Sequence, residues 1–147
     1  MITELISVGT EILLGNIVNT NSAYLSEKCA QLGLAVYYQS VVGDNPERMK
    51  MVIRTALDRS DVIILTGGLG PTEDDLTKEI TAEVMGFSLV EDEHTKELME
   101  DYLREYEKNN PQRRITRNNY KQTMVPEGSM VLDNHNGTAP GLITEKI

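Results

Sequence analysis

The chain has 147 residues, of which 39% are hydrophobic and 25% are charged, and its formal net charge is −9 at pH 7. This composition excludes a disordered or fibrous protein, and the excess of carboxylates argues against nucleic-acid binding as the main role. No apolar run approaches the roughly 20 residues of a membrane span, and residues 1–4 lack a secretion signal. We therefore expect one domain without membrane contact, and the single Cys29 favours a reducing cytoplasm.

The first quarter of the chain reads as a strand, a loop and a helix. Residues 2–8 form a short β-branched run, which predicts a buried first strand, and a glycine-punctuated loop follows over 9–19. A helix is then predicted to begin at one of three candidate caps in 19–21 and to end at Leu32, before Gly33.

The next elements are a strand over 35–42, a helix and a third strand over 61–66. Asn45 as the cap and Pro46 at the first helical position predict a firm helix start. The apolar residues of this helix recur on one side: Met49, Val52, Ile53, Ala56 and Leu57. The third strand is apolar throughout its middle, which is typical of a parallel strand covered on both faces.

Later elements are shorter. A helix is predicted over 75–85, with Asp74 or Asp75 as its cap, and an acidic helix over 92–108. We also expect a short helix over 117–122 and strands over 130–132 and 142–144. The alternation of strands and helices predicts an α/β fold with a mostly parallel sheet. The loops after its first three strands, 9–21, 43–45 and 67–75, are then expected to converge on one edge as a ligand site.

The loop over 66–72, called the glycine-rich loop below, is the sharpest turn in the sequence. It consists of Thr66, Gly67, Gly68, Leu69, Gly70, Pro71 and Thr72. Glycines admit positive φ, and backbone N–H groups beside a helix start bind anions, although a plain strand–helix turn would need the same residues. Neither a Walker A sequence nor a Gly-x-Gly-x-x-Gly fingerprint occurs, which argues against P-loop ATPases and dinucleotide dehydrogenases.

Carboxylates follow this loop at once, in Glu73, Asp74 and Asp75. They either complement the helix dipole and cap the helix, or hold Mg²⁺ or Mn²⁺ beside phosphates, or orient an attacking water. Asp44 needs no function as a turn residue, but its predicted place beside Asp75 makes it a candidate, and Glu11 in the first loop is either exposed or used.

Two further segments are open to two interpretations. The turn-rich segment 134–141 is either a plain loop or a ligand lid, and its His135, like His94, has no second ligand at metal-binding spacing. The basic cluster is either a solvated helix face or a contact for an anionic ligand or an acidic partner; it comprises Arg113, Arg114, Arg117 and Lys121.

Five segments of the chain resemble, in order, the N-terminal domain of the competence- and damage-inducible CinA family. They are SVGTEILLGNIVNTNSAYL, VVGDNPERM, ILTGGLGPTEDDLTKE, RNNYKQTMVPEGS and NGTAPG. That family lies in the molybdopterin-binding superfamily, together with the molybdopterin adenylyltransferases. The resemblance implies a three-layer α/β/α domain over 1–147 with a nucleotide or pterin pocket. The sequence departs from the family in two respects. Nothing in it corresponds to a nicotinamide mononucleotide deamidase domain, so that activity is not expected. It stops at Ile147, before the Leu-Pro-Gly-Pro-Pro-like loop that closes the pocket in the family, so we expect either a truncated domain or an incomplete site.

The resemblance also implies roles for individual residues. The glycine-rich loop would hold phosphate through its N–H groups, steadied by Thr77, and Asp44 and Asp75 match an acidic pair around pterin and metal. Catalytic roles fall to Asp44, Asp75 and Glu11, and metal ligation to Asp44, Asp74 and Asp75. Further substrate contacts are Gly9, Thr10, Asn21, Asn136, Gly137 and Thr138.

The leading functional prediction is therefore metal-dependent hydrolysis of a nucleoside diphosphate sugar, ADP-ribose to AMP and ribose 5-phosphate. The alternative is a molybdopterin-binding or adenylyl-transfer domain of molybdenum cofactor metabolism. A second alternative is a non-catalytic nucleotide-sensing or oligomerisation module. The expected partners are a small nucleotide or pterin ligand and further copies of the chain, the acidic helix pairing with the basic cluster.

Overall fold

The structure is a computed structural model that describes residues 1–112 and 117–145. In chain order the strands are β1 (Ile2–Val8), β2 (Ala35–Val42), β3 (Val62–Thr66), β4 (Leu89–Glu91), β5 (Met124–Pro126), β6 (Met130–Leu132) and β7 (Gly141–Ile143). The helices are α1 (Thr10–Leu13), α2 (Thr20–Gln31), α3 (Pro46–Arg59), α4 (Thr77–Met85) and α5 (Glu93–Asn109), and a 3-10 helix spans Arg117–Thr123.

A parallel sheet of three strands, in the order β2-β1-β3, forms the centre of the fold. The pairs β4-β5 and β6-β7 are antiparallel and lie outside this sheet. The prediction of an α/β fold with a mostly parallel sheet is confirmed, and the carboxyl ends of the three central strands lie at one edge.

Strand β1 is buried on both of its faces because helices cover the sheet from both sides. Its Ile6 and Val8 pack into a core with Met49 and Ile53 of α3 and Ile80 of α4. On the other face, the Ser7 hydroxyl accepts a hydrogen bond of 2.8 Å from the side chain of Asn19, the residue before α2. Alternating side chains of one strand thus join two helical layers, as a three-layer α/β/α domain requires.

Both predicted helix starts are confirmed by their caps. The Asn45 side chain accepts a hydrogen bond from the Arg48 N–H at 3.0 Å, and Pro46 is the first residue of α3. The Asn19 side chain accepts from the Ser22 N–H at 3.2 Å, which selects Asn19 among the three candidates. Each bond satisfies an N–H group that has no partner within the helix.

An ion pair closes the amino end of the sheet. The Glu4 side chain of β1 is fully buried and accepts two hydrogen bonds from the Arg59 guanidinium, at 2.9 and 2.7 Å, and one from the Ser60 hydroxyl at 3.1 Å. The guanidinium carbon lies 3.8 Å from the centre of the Tyr38 ring. Hydrogen bonding from Arg59 outweighs burial and holds the pKa of Glu4 below its ordinary value.

Some elements differ from the prediction. The first loop contains the single turn of α1. The three-residue strands β4 and β5 were not predicted. The parallel pairing of the third strand is confirmed, but β3 is half-buried along its length and not fully covered, and among the described residues its one neighbouring strand is β1. Within the described residues, no helix combines the length and apolar character needed to cross a membrane.

Candidate functional site

The loops that follow β1 and β2 are bonded to each other at the carboxyl edge of the sheet. The Gly9 N–H donates to the carbonyl of Val42 at 2.9 Å. The Thr10 hydroxyl and N–H both donate to Asp44 Oδ2, at 2.7 and 3.1 Å, and the Asp44 N–H donates back to the Thr10 hydroxyl at 3.1 Å. The Asp44 carboxylate therefore joins the two loops.

The glycine-rich loop after β3 touches the same edge so closely that only glycine fits. Gly67 and Gly68 have φ of +90° and +63°. A Cβ on Gly67 would lie 2.0 Å from the carbonyl oxygen of Val8, and one on Gly68 would lie 2.2 Å from the Thr77 hydroxyl. That hydroxyl donates to the carbonyl of Gly67 at 2.7 Å, so the start of α4 fixes the loop in this conformation.

Asp75 closes the glycine-rich loop and does not cap α4, contrary to the prediction. Its Oδ2 accepts hydrogen bonds from the N–H and hydroxyl of Thr72, at 3.0 and 2.6 Å. Burial raises the pKa of Asp75, but the bonds from Thr72 and from the Gly70 backbone, with the charge of Lys121, outweigh it and hold the pKa below its ordinary value. Helix α4 begins two residues later because this carboxylate is engaged within the loop.

The 3-10 helix holds the loop from its other side. The Lys121 ammonium donates to the carbonyls of Thr72, at 2.7 Å, and of Asp75. The Gln122 side-chain amide donates to the carbonyl of Leu69 at 3.0 Å. These carbonyls face the 3-10 helix. The N–H groups of Gly68 and Leu69, in contrast, donate no hydrogen bond to any of the described residues. Two unpaired amides on a rigid loop are suited to an anion.

A buried lysine adds positive charge beneath this loop. The Lys78 ammonium of α4 donates to the carbonyl of Lys121 at 2.6 Å and lies 3.7 Å from a Glu79 carboxylate oxygen. Burial lowers the pKa of Lys78. Lys78 and Lys121 interact electrostatically, and each ammonium lies within 4.0 Å of the Glu79 carboxylate.

A small cavity separates the glycine-rich loop from the segment leading into β7. Its volume is about 10 Å³, which holds about one water molecule. Its lining includes Gly68, Gly70, Lys78, Gln122 and Pro140. Sequence analysis did not single out Lys78 or Gln122, whose only signal is that they lie within segments that carry the family resemblance.

A second cavity, of about 230 Å³, lies between α5 and the segment 133–140. Gly137 and Thr138 line this cavity and not the first one, whereas Pro140 lines both. At its border, His94 Nε2 lies 3.1 and 3.2 Å from the two carboxylate oxygens of Asp133, a contact that raises the pKa of His94. The predicted lid residues therefore face α5, while the residues that follow them face the glycine-rich loop.

The remaining predicted site residues are exposed. Glu11 folds back over Gly9, with a carboxylate oxygen 2.7 Å from where a Cβ on that glycine would lie. Asp74 and Asn21 are exposed, as is Asn136, whose N–H donates to the Asn134 side chain at 2.9 Å. Their roles in catalysis and binding stay predictions.

The described residues do not supply a ready metal centre. Residues 1–112 and 117–145 contain no group of three or more His, Cys, Asp or Glu side chains placed to hold an ion. The Asp44 and Asp75 carboxylates are engaged with Thr10 and Thr72, so metal ligation by Asp44, Asp74 and Asp75 stays a prediction.

The basic cluster lies partly outside the described residues, which include neither Arg113 nor Arg114 nor the side chain of Arg117. Lys121, its remaining member, donates to loop carbonyls, and its side chain is 25% exposed, so the two interpretations of the cluster stay predictions. Pairing of this cluster with α5 of another copy stays a prediction.

Comparison with known proteins gives a consistent result. The model of a family described as "Probable molybdopterin binding domain" matches residues 4–146. A "Putative competence-damage inducible protein" of Caldicellulosiruptor bescii is 54% identical over 146 residues, which is 99% of this chain and 34% of the relative. The Bacillus subtilis protein of the same name is 51% identical over 97% of this chain and 33% of its own length. The chain thus spans about a third of these relatives.

Solved structures similar to this chain point to the same family as the sequence relatives do. The protein CinA of Thermoplasma acidophilum, titled as of unknown function, superposes with a TM-score of 0.81 at 35% identity, covering 96% of this chain and 79% of that one. The molybdopterin biosynthesis enzyme MoaB of Thermus thermophilus superposes with a TM-score of 0.55 at 28% identity, covering 67% and 61%. The structural neighbours thus include an enzyme of cofactor biosynthesis.

The prediction of metal-dependent ADP-ribose hydrolysis is wrong. The family model describes molybdopterin binding, the relatives are named for competence and damage, and MoaB is titled a molybdopterin biosynthesis enzyme. The error arose because carboxylates beside a phosphate-type loop suggest a metal hydrolase, whereas Asp75 closes the loop. The alternative prediction, a domain of molybdenum cofactor metabolism, fits these findings better. The chain belongs to the molybdopterin-binding domain family and, within it, to the CinA proteins.

Proposed function

We propose that this domain binds a phosphorylated pterin of the molybdopterin class, with a phosphate on the glycine-rich loop. The observation that carries the proposal is that the N–H groups of Gly68 and Leu69 have no partner in the described part of the chain, while Lys121 and Gln122 bind the carbonyls of Thr72 and Leu69. Family membership supports the pterin, since the matching family model is described by molybdopterin binding.

The surrounding residues have supporting roles in this proposal. Thr77 and Asp75 hold the loop, and Lys78 and Lys121 contribute charge beneath it. Thr10 and Asp44 form the neighbouring wall, where Gly9, Glu11 and Asn21 remain candidate contacts. Adenylyl transfer is the reaction to test, because the neighbour MoaB is titled as an enzyme of molybdopterin biosynthesis.

The test is an anaerobic titration with molybdopterin released from a denatured molybdoenzyme. The chain has no tryptophan, so ligand fluorescence is read without tryptophan background. Wild type is expected to bind, and Gly68→Ala to bind at least about tenfold more weakly, because the new Cβ would displace Thr77. Retention of full affinity by Gly68→Ala, or absence of binding by wild type, would contradict the proposal.

The matched control is Gly33→Ala. Gly33 also has positive φ, +72°, but a Cβ there would meet nothing within 4 Å. This variant therefore carries the same kind of backbone strain away from the site and should bind as wild type does. Adding ATP and Mg²⁺ to the bound complex then asks whether an adenylylated product forms.

A further inference from the structure

The side chain of Gln122 carries an unsatisfied acceptor beside the glycine-rich loop. The residue is 3% exposed, and its amide nitrogen donates to the carbonyl of Leu69 at 3.0 Å. Its amide oxygen, Oε1, has no hydrogen-bond partner within the described part of the chain. Buried polar atoms are rarely left unpaired, and those that are unpaired often mark a ligand or a water.

The surroundings of the Gln122 side chain point to a ligand. Gln122 lines the small cavity together with Gly68 and Gly70 of the loop and the Lys78 side chain. The volume of about 10 Å³ admits a single heavy atom, such as an amino nitrogen or a hydroxyl oxygen, and not a ring. The cavity adjoins the amides proposed to bind phosphate, so one ligand can reach both.

The chemistry of the acceptor excludes the phosphate itself. A fully ionised phosphate offers only acceptor oxygens, which would be repelled by an amide oxygen and attracted by the N–H groups of Gly68 and Leu69. Gln122 Oε1 requires a donor, and pterins carry amino and ring N–H groups.

We propose that Gln122 is a specificity-determining residue: its nitrogen positions the loop, and its oxygen accepts a hydrogen bond from an N–H group of the phosphorylated ligand. This inference rests on the proposed function of the loop. It predicts that Gln122 distinguishes ligands bearing a donor from phosphate alone, which a purely structural glutamine would not do.

The experiment compares two probes, molybdopterin and inorganic phosphate, on wild type and on Gln122→Met, which has similar length and no amide. Loss of the hydrogen bond to Leu69 is expected to lower the affinity for both probes by the same factor. Loss of the acceptor is expected to weaken molybdopterin by about a further tenfold, so the ratio of the two affinities falls by about that factor.

The outcomes separate the two proposals. If wild type does not bind molybdopterin, the proposed function fails, whether or not phosphate binds. If both probes bind wild type but weaken equally in Gln122→Met, the glutamine is structural or binds a water only, and this inference alone is overturned. Gln122→Glu is the second variant, because it keeps an acceptor and loses the donor to Leu69. It should retain the wild-type ratio of molybdopterin affinity to phosphate affinity. If the methionine variant does not fold, a ratio about tenfold lower in Gln122→Glu would overturn the inference.

Discussion

The two ends of the parallel sheet differ in how their polar groups are hydrogen-bonded. At the amino end, Glu4 is buried against Arg59 and Ser60, and every oxygen of its carboxylate has a partner. At the carboxyl end, the N–H groups of Gly68 and Leu69 in the glycine-rich loop, and the nearby side-chain oxygen of Gln122, have no partner among the described residues. Polar groups at the first end thus stabilise the fold by bonding to each other, whereas we propose that those at the second end bond to a ligand.

The largest expected effect comes from breaking the amino end. Arg59→Met leaves the fully buried Glu4 carboxylate without its main partner, so the free energy of unfolding should fall by about 2–3 kcal/mol, measured by urea denaturation. Arg54→Met, on the same helix and exposed, is the control and should change it by less than about 0.5 kcal/mol. Equal losses in the two variants would mean that the ion pair adds no stability.

The same pair has a defined pH dependence. Because the folded-state pKa of Glu4 lies below its ordinary value of 4.5, its contribution is fully present above that pH and is lost as the pH falls through the folded-state pKa. The stability difference between wild type and Arg59→Met should therefore be constant near neutrality and shrink in acid. A difference that grows on acidification would contradict this account.

At the carboxyl end, Asp75→Ala removes the acceptor that closes the glycine-rich loop. We expect a loss of about 1–2 kcal/mol in stability and of at least about tenfold in phosphate affinity, measured by calorimetry. The control is Asp74→Ala, which removes an exposed carboxylate next to it. If Asp74→Ala lost as much affinity as Asp75→Ala, shared metal binding would explain the result better than loop closure.

A smaller effect is expected from Lys121→Met, which releases the carbonyls of Thr72 and Asp75 without touching the amides. Phosphate should bind about threefold to tenfold more weakly, and the loop amides should exchange their hydrogens faster. Lys108→Met, at the end of α5, removes the same charge from an exposed position and tests for a general charge effect. Equal weakening by both variants would show that only net charge matters.

The smallest effect concerns His94 and Asp133. Because Asp133 raises the pKa of His94 above its ordinary value of 6.5, the contact stabilises the protein below that value, and this stabilisation is lost as the pH rises through the folded-state pKa. His94→Gln should flatten the dependence of Tm on pH in that window. Parallel Tm profiles for wild type and His94→Gln would show that the contact does not form in solution.

Much of the framework was predictable because it rests on local rules. The β-branched run of β1 and the Asn45–Pro46 start of α3 each encode their own element, and both were found in place. Gly67 and Gly68 were predicted to form a tight turn, since few other residues tolerate positive φ. The convergence of Thr10 and Asp44 followed from the parallel order of the strands.

Sequence by itself therefore determined the α/β class, the main helix starts and the position of the glycine-rich loop, because periodicity, capping and glycine conformation act over a few neighbouring residues. Tertiary structure alone decided that Asp75 closes this loop and that Gln122, 53 residues from Leu69, holds it while its oxygen finds no partner among the described residues. It also decided that β3 pairs with β1 as its one neighbour within residues 1–112 and 117–145. These outcomes depend on contacts between distant segments, and no local pattern records which of a residue's polar atoms such contacts will satisfy.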